Sequence, residues 1–370
     1  MSQKSEMERS GPTCKPVGSS RASRPAGLKQ YAGRLVTWSV DQIKRHPKVL
    51  ALAGFVSGIA SFFLVERKPA LAQVVALLML ASWLWLIFEN TLRRHALRLL
   101  KLRVPRPALH FITQMVHQES LFFVLPFFFF TLTWNSGQVV FMALLCLAAL
   151  VSVIDPIYYN HLARRRWVYL GFHSLALFAV LLTALPIILH LSTAQSYPLA
   201  LGVAVVFAIP SVIKALPPRR WWRGLALVGV VLVLGFSGWQ ARLWVPPATL
   251  WLTHVSISFH VDYDEKQPGQ SIERLTEETL HRHGLFAYTA IRAPRGLKER
   301  IYHVWRRNGE VVDTIALNIQ GGRQEGYRAW THKEHFPHNA VGDWQVQVVT
   351  EAKQMIGVLR FEVVDENSNP

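Results

Sequence analysis

The chain shows two hydrophobic patterns, and one replaces the other near residue 252. Before that point, apolar residues form long continuous runs separated by short polar loops. After it, apolar and polar residues alternate. A helix that crosses a bilayer needs about 20 apolar residues, with about 17 as a practical minimum, whereas alternation is typical of half-buried strands. The pattern therefore predicts an α-helical polytopic membrane domain, followed by a C-terminal all-β domain.

Seven apolar runs predict about seven transmembrane helices within residues 49–244. The fourth and sixth runs are short, and reach the required length only with flanking polar residues. The basic segment before them, residues 1–48, is expected to be a cytoplasmic tail, disordered at first and then an amphipathic helix. The predicted spans are Val49–Val65, Ala70–Phe88, Met115–Trp134, Val139–Ile154, Trp167–Leu189, Leu199–Val212 and Leu225–Trp244.

The positive charge is concentrated before the first of these runs and in alternate loops between them. The chain has a net charge of +17 from 40 Lys and Arg residues, and more than half of them fall in residues 1–48, Arg93–Arg106, Arg164–Arg166 and Lys214–Arg223. Loops on the cytoplasmic side of a membrane retain Lys and Arg during insertion. The charge therefore indicates membrane topology rather than nucleic-acid binding. With seven crossings, the N-terminus is expected in the cytoplasm and the C-terminal domain in the periplasm of a bacterium.

Residues 253–370 carry the signals of short antiparallel strands. Val255, Ile257 and Phe259 alternate with polar residues, and Asn308-Gly309 is a strong signal for a tight hairpin. A short helix is predicted over Ser271–His283, ended by Gly284. Several such strands within one small domain predict a β-sandwich. The further strands are predicted at Leu285–Ile291, Arg300–Arg306, Val311–Ile319, Tyr327–Thr331, Trp344–Val349 and Gly357–Val364.

Polar residues within the apolar runs are candidates for transport or catalysis, because such residues are costly in a membrane. His117, Glu119, Asp155 and His173 would all occupy the cytoplasmic half of neighbouring helices, where they could converge. The alternative is that each reaches the membrane interface or pairs with Arg164–Arg166.

The β-domain offers candidates for binding rather than for chemistry, since it lacks a recognisable nucleophile or phosphate-binding motif. His303, Trp305 and Trp330 are candidate ligand-binding residues, although large aromatic rings also pack well inside a sandwich. Three histidines are spaced by three residues, but on an exposed loop they would hold a metal only weakly. We therefore expect no metal site and no cofactor. These histidines are His332, His335 and His338.

Four short segments of the C-terminal part resemble a known family. The chain is similar to an uncharacterised group of bacterial inner-membrane proteins, whose C-terminal module is a domain of unknown function. The similarity covers roughly Glu299–Val364, and it implies a membrane-anchored β-module without implying an activity. The segments are His303-Val304-Trp305, Gly322–Trp330, Gly342-Asp343-Trp344-Gln345-Val346 and Leu359-Arg360-Phe361-Glu362-Val363.

Together these features predict an integral inner-membrane protein that is not an enzyme. Its periplasmic β-sandwich would bind or sense a partner in the cell envelope, either a protein or a glycan, and its other partner would be the lipid bilayer. The alternative function is that of a transporter or membrane enzyme that uses Glu119, Asp155 and His173.

Overall fold

The computed structural model describes residues 106–365, except residue 163 and residues 216–221, together with eight helical positions between Leu52 and Trp83. All of these belong to one compact unit that begins at Pro47. The predicted cytoplasmic tail, residues 1–48, lies outside the described residues. So do the first two predicted spans, apart from those eight positions.

Five long helices precede the strands within residues 106–244. Most of their residues are apolar helix formers, and the prolines inside two of them, Pro126 and Pro186, do not end either helix. A sharp bend follows the second helix, where the chain turns by 95° into the short helical segment Asp155–Leu162. A 3₁₀ turn, Ala241–Trp244, follows the fifth. The helices are α1 (Arg106–Phe130), α2 (Gln138–Val153), α3 (Arg166–Leu189), α4 (Thr193–Ala215) and α5 (Arg223–Gln240).

Helices α3 and α5 have very different surroundings. Helix α3 packs against both α1 and α4, and 72% of its apolar stretch, Val168–Ile188, is buried. Small buried residues such as Ala176 and Ala179 allow the neighbouring helices to approach closely. In contrast, none of the stretch Gly224–Trp244, which contains most of α5, is buried. We refer to the five helices and their connections as the helical region.

The prediction of about seven transmembrane helices is wrong. Among the described residues, only Val168–Ile188 and Gly224–Trp244 are long and apolar enough to cross a membrane, and a third crossing requires α2 and Asp155–Leu162 to form one broken span. The apolar part of α4 is too short. In α1, the expected third span, His117 and Glu119 lie among further polar residues in the middle of the helix and interrupt its apolar sequence.

The predicted β-rich C-terminal region is confirmed, and its strands begin at Trp251. They form a three-stranded sheet in the order β1-β5-β8, a five-stranded sheet in the order β4-β10-β9-β6-β7, and a small β2-β3 pair. A short helix, α6 (Glu277–His283), ends at Gly284 as predicted. It begins later than the predicted Ser271, because Arg274–Thr276 forms strand β4 and pairs with β10. We call residues 251–365 the β-domain. The strands are β1 (Trp251–Ser258), β2 (Val261–Asp262), β3 (Gln267–Pro268), β4 (Arg274–Thr276), β5 (Leu285–Arg292), β6 (Lys298–Arg307), β7 (Glu310–Gln320), β8 (Tyr327–Lys333), β9 (Gly342–Thr350) and β10 (Met355–Val364).

The two larger sheets pack over one hydrophobic core. Ile257 and Ala287 enter it from the three-stranded sheet, and Ile301, Trp305 and Trp344 enter it from the five-stranded sheet. The alternation seen in the sequence thus reflects one face of each strand that points to a shared interior.

The hairpin between β6 and β7 is also as predicted. Asn308 and Gly309 both have positive φ angles, 49° and 88°. A two-residue turn of this kind matches the right-handed twist of the two strands that it joins.

Three buried polar contacts hold the β-domain against one end of the helical region. Gln138 donates from Nε2 to the carbonyl of Met355 (2.8 Å) at the start of α2. Gln354 donates from Nε2 to the carbonyl of Val245 (3.0 Å) after α5. The third contact joins the carboxylate of Glu299 to the start of α4. The connections after α1, α3 and α5 therefore all meet the β-domain.

Candidate functional site

A break in the helical region positions the first group of candidate residues. Helix α2 ends at Val153, Ile154 is extended, and Asp155-Pro156 starts the bent segment. Proline is well tolerated in the first turn of a helix, so it suits a new start at this point. The side chain of Gln114 donates from Nε2 to the carbonyl of Ser152 (3.0 Å) and to Oδ1 of Asp155 (2.7 Å). Helix α1 therefore supplies polar partners to the broken backbone.

One turn further along α1, His117 forms a buried chain of side-chain hydrogen bonds. Its Nδ1 lies 3.0 Å from the hydroxyl of Tyr158, in the bent segment. Its Nε2 lies 3.0 Å from Nδ1 of His173, in α3. Trp83 packs its ring edge-on against both imidazoles and donates from its indole nitrogen to Ser120. We call Gln114, His117, Asp155, Tyr158 and His173 the helical polar cluster.

Two of the three residues that the alternative function would use, Asp155 and His173, belong to this cluster, and Glu119 does not. His173 bonds directly to His117, and Asp155 joins through Gln114. Glu119 is half-buried, and none of the described contacts places it in the cluster. Gln114 and Tyr158 were not among the sequence-based candidates. The three-residue spacing of Gln114 and His117 on one helix face was the available signal.

The cluster can share and move protons more readily than it can hold a metal. In the contact between His117 and His173, one ring nitrogen must donate and the other must accept, and the Tyr158 hydroxyl can do either. Within the described part of the chain, no group of three or more His, Cys, Asp or Glu side chains could hold a metal ion.

Two of the three ligand-binding candidates lie inside the β-domain. His303 and Trp305 belong to the inward-facing row of β6, and both are fully buried. The His303 ring bridges the two sheets, with Nε2 3.2 Å from the Thr289 hydroxyl and Nδ1 3.0 Å from the Thr331 hydroxyl. Burial lowers the pKa of His303 to about 3, so the ring is neutral near pH 7. These two side chains hold the core together and do not reach the surface.

Trp330, the third candidate, lies on the opposite face of the three-stranded sheet and is partly exposed. It stands beside Tyr288 on the neighbouring strand, with the two rings only 11° from parallel. Next along the same strands, Phe286 and His332 stack with centroids 3.9 Å apart and planes 3° from parallel. Cross-strand neighbours on one face of a sheet are close enough to pack in this way.

Two more rings complete this face. Tyr263, in the turn between β2 and β3, meets Trp330 nearly edge-on at 5.7 Å, and 65% of its surface is exposed. The His254 ring, on β1, lies 5.6 Å from that of Tyr288. We call this set the outer aromatic face; it comprises His254, Tyr263, Phe286, Tyr288, Trp330 and His332.

Polar contacts fix the border of the outer aromatic face. Arg328 donates to the carbonyl of Glu265 (2.8 Å) and to the carboxylate of Glu325 (2.8 Å). The Tyr288 hydroxyl donates to the carbonyl of Lys266 (3.1 Å). These bonds tie the β2–β3 turn to β5 and β8, so the rings stand on a well-supported surface next to charged and hydroxyl groups.

Two family models match the chain, one after the other along the sequence. A family of unknown function (DUF5924) matches residues 29–287, which is well over half of the chain. The chain belongs to this family. A second model, a protein of unknown function (DUF2914), matches residues 298–363, and this agrees with the resemblance over Glu299–Val364. No curated protein and no solved structure matches the chain.

The two matches divide the outer aromatic face. In this DUF5924 family member, His254, Tyr263 and Phe286 lie within the first match. Trp330 and His332 lie within the second. The face is therefore completed only where the two matched segments pack together in one sheet.

Proposed function

We propose that the helical region anchors this protein in the bacterial inner membrane and that the β-domain binds a ligand of the cell envelope. The observation that carries the proposal is the outer aromatic face on its supported sheet. Its Tyr263 and Trp330 rings are exposed or partly exposed beside polar groups, whereas Phe286 and Tyr288 are buried. Ligand sites commonly combine apolar and aromatic walls with a few placed polar groups. By contrast, the inner rows of the same strands are filled by the core.

Helix α5 supports the membrane anchor. Leu225, Leu232 and Phe236 are each more than 60% exposed. Apolar surface left in water costs roughly 25 cal/mol for each Å², so such a helix needs an apolar environment. Helix α4 packs against part of α5, but these three side chains stay largely exposed, and lipid is the cover that we propose for them.

The direction of the helices supports placing the β-domain outside the cytoplasm. Helices α3 and α5 both run toward the β-domain, and both begin next to basic residues, at Arg164–Arg166 and at Arg219–Arg223. Basic residues that flank a membrane helix favour its cytoplasmic end. If α3 and α5 cross the inner membrane, the β-domain therefore lies in the periplasm.

A pair of fusions tests this orientation. Alkaline phosphatase, which becomes active only after export, is joined after Arg223 in one fusion and after Trp244 in the other. We expect activity only from the fusion after Trp244, because these positions flank α5. The reverse pattern would place the β-domain in the cytoplasm, and equal activity would show that α5 does not cross.

We propose a glycan as the ligand, because its chemistry fits the outer aromatic face. The C–H face of a sugar ring packs well on an aromatic ring, and its hydroxyls need nearby polar partners. Trp330 and Tyr263 provide partly exposed rings, and Arg328 and Glu325 provide charged groups beside them.

Binding to purified cell-wall glycan measures this directly. The full-length protein in detergent is sedimented with insoluble sacculi, and we expect Trp330→Ala and Tyr263→Ala each to reduce the bound fraction several-fold. Tyr302→Ala is the matched control, because Tyr302 is a partly exposed aromatic on the five-stranded sheet. Equal binding by all variants would rule out the outer aromatic face as a glycan site. Retention of an envelope protein, lost only in the Trp330 and Tyr263 variants, would make the ligand a protein.

The helical polar cluster favours a second function, in which the protein is a transporter or membrane enzyme. The specific observation is the buried contact of His117 with both His173 and Tyr158. Proton movement into dye-loaded vesicles containing the protein would support this function if His117→Phe abolished it while sacculus binding remained. Vesicles that stay proton-tight with the wild-type protein would speak against proton transport.

A further inference from the structure

Glu299 occupies an unusual position at the edge of the β-domain. Glu299 is the first residue of the inward-facing row of β6, which continues with Ile301, His303 and Trp305. Only 3% of its surface is exposed. Carboxylates are rarely buried to this extent unless they have partners. Its partner lies in the helical region rather than in the β-domain.

Both carboxylate oxygens of Glu299 contact Thr193, the first residue of α4. The Thr193 N–H donates to Oε2 (2.8 Å), and the Thr193 hydroxyl donates to Oε1 (2.6 Å). Thr193 is itself only 6% exposed. The first N–H groups of a helix have no partner within the helix. Glu299 therefore supplies, from another part of the fold, what a capping residue normally supplies locally.

The residues just before β6 also contact the loop between α3 and α4, through His190. His190 ends α3 with a left-handed backbone (φ 55°). Its ring packs so closely on Gly296 (φ 86°) that a Cβ at that position would come within 2.8 Å of it. The turn between α3 and α4 is thus seated on residues 296–299, just where β6 begins. We call α3, its connecting loop and α4 the helical hairpin.

We infer that Glu299 is a protonation-dependent joint, which holds the helical hairpin to the β-domain more firmly when the carboxyl group is neutral. Both contacts can also form with the neutral acid, because Oε2 can still accept from the Thr193 N–H while Oε1–H donates to the Thr193 oxygen. The bond that the Thr193 hydroxyl donates to Oε1 favours the charged form, and burial favours the neutral one. Neither contact is lost on protonation, and the desolvation of a buried charge is avoided. This inference goes beyond the proposed function, since it concerns how the two parts are joined.

The electrostatic surroundings agree with this assignment. Burial raises the pKa of Glu299 to about 7; the hydrogen bonds from Thr193 oppose this, and the charge of Glu351 adds to it. On the hairpin side, the nearby ionisable side chain is His190, whose ring packs on Gly296. Glu351 follows β9 and donates its N–H to the carbonyl of Arg300.

The direction of the pH effect follows from the raised pKa. The ordinary pKa of the Glu299 carboxyl group is 4.5, and in the joined state its pKa is about 7. At pH values between these two, Glu299 in the joined state keeps a proton that it would release in water. The stability of the joint is therefore complete below about pH 4.5 and is lost as the pH rises through about 7. If the β-domain is periplasmic, the joint responds to the pH outside the cytoplasm.

Amide hydrogen exchange of the full-length protein in lipid nanodiscs tests the joint. Protection of the first turn of α4, corrected for the intrinsic exchange rate, is measured from pH 5.5 to pH 8.5. We expect it to fall roughly tenfold or more over this range, since a shift of one pKa unit corresponds to a factor of ten. Glu299→Gln keeps the shape and both contacts without a charge, and its protection should stay constant with pH.

Two further variants separate this inference from a general effect of pH. Glu351→Gln removes the neighbouring charge, so protection should still fall, but with a midpoint at lower pH. Thr193→Val keeps the N–H but removes the hydroxyl donor, so the midpoint should rise. It also provides a test should Glu299→Gln fail to fold. Constant protection in the wild type, or an unchanged pH dependence in Glu299→Gln, would overturn the inference, whatever the outcome of the glycan experiment.

Discussion

The helical region and the β-domain each bury an apolar core, but they differ in the side chains that they leave exposed. The β-domain buries its large apolar residues, Trp305 and Trp344 among them, and carries charge on its surface. The helical region exposes Leu232 and Phe236, while it buries His117 among other side chains. Water drives apolar groups inward, whereas in lipid the polar groups must find partners inside. The exposed apolar side chains of the helical region fit the membrane anchor that we propose for it.

A similar contrast exists between two helices of similar apolar character. Most of Val168–Ile188 in α3 is buried by protein, and none of Gly224–Trp244 is. The apolar side chains of α3 therefore pack mostly against protein, whereas those of α5 lie mostly on the outer surface of the protein. Apolar composition alone does not distinguish a central helix from a peripheral one.

The largest expected effect comes from the core of the β-domain. Trp344 is fully buried, donates to the carbonyl of Ala340 (2.7 Å) and stacks on Phe361. Trp344→Ala should lower the free energy of unfolding by about 3–5 kcal/mol, as for other buried tryptophans. Denaturant unfolding monitored by circular dichroism measures this. An unchanged midpoint would show that the ring is not part of the core.

A pair of leucines compares α3 with α5. Leu177 in α3 is 2% exposed, and Leu232 in α5 is 66% exposed. Leu177→Ala should cost about 2–5 kcal/mol, because it leaves a cavity. Leu232→Ala in detergent should change stability by only about 0.5 kcal/mol or less. Thermal unfolding of the two variants gives the comparison, and equal losses would mean that α5 is packed against protein.

Acidification should affect the β-domain through His303. Its pKa is lowered to about 3 by burial, so the folded state resists protonation that the unfolded chain accepts. Stability should therefore be complete above about pH 6.5 and decline as the pH falls, by at most about 1.4 kcal/mol per unit. This direction is opposite to that expected for Glu299.

His303→Gln should weaken this acid sensitivity, since an amide does not titrate in this range. Equilibrium unfolding at several pH values between 6.5 and 4 gives the slopes. Equal slopes for wild type and variant would assign the sensitivity to other groups.

Only a small effect on stability is expected of Trp330→Ala. Because Trp330 is only partly buried on the outer aromatic face, its removal should shift the free energy of unfolding by about 1 kcal/mol or less, a typical value for a point substitution. The melting temperature of the full-length protein measures this. A loss as large as that of Trp344→Ala would make Trp330 a structural residue.

The strands were predictable from the sequence because local rules determine them. Alternation placed seven strands near their observed positions, and Asn308-Gly309 supplied the backbone angles that the hairpin needs. Gly284 (φ 65°) ends α6 for a similar reason. These signals require only a few neighbouring residues, so one sequence is enough to detect them.

The helical region was harder to predict, because its arrangement depends on distant contacts. Long apolar runs predicted helices correctly but could not show that α2 bends at Asp155 or that Gln114 stabilises the bend. His173 was recognised as a candidate, yet its contact with His117 arises only from the packing of α1 against α3. Similarly, alternation could not tell which face of β8 meets the core, and so it did not separate Trp330 from Trp305.

The two family matches divide the three-stranded sheet between them. The segments that the family models recognise are therefore not the segments that fold together. The first match ends at residue 287, inside β5, and the second begins at residue 298, with β8 within it. Strand β8 finds its hydrogen-bonding neighbour only in β5. A fragment limited to residues 298–363 would leave β8 with two open edges and one side of the core in water. Such an edge invites pairing with another chain, so the fragment should aggregate unless a foreign strand takes the place of β5.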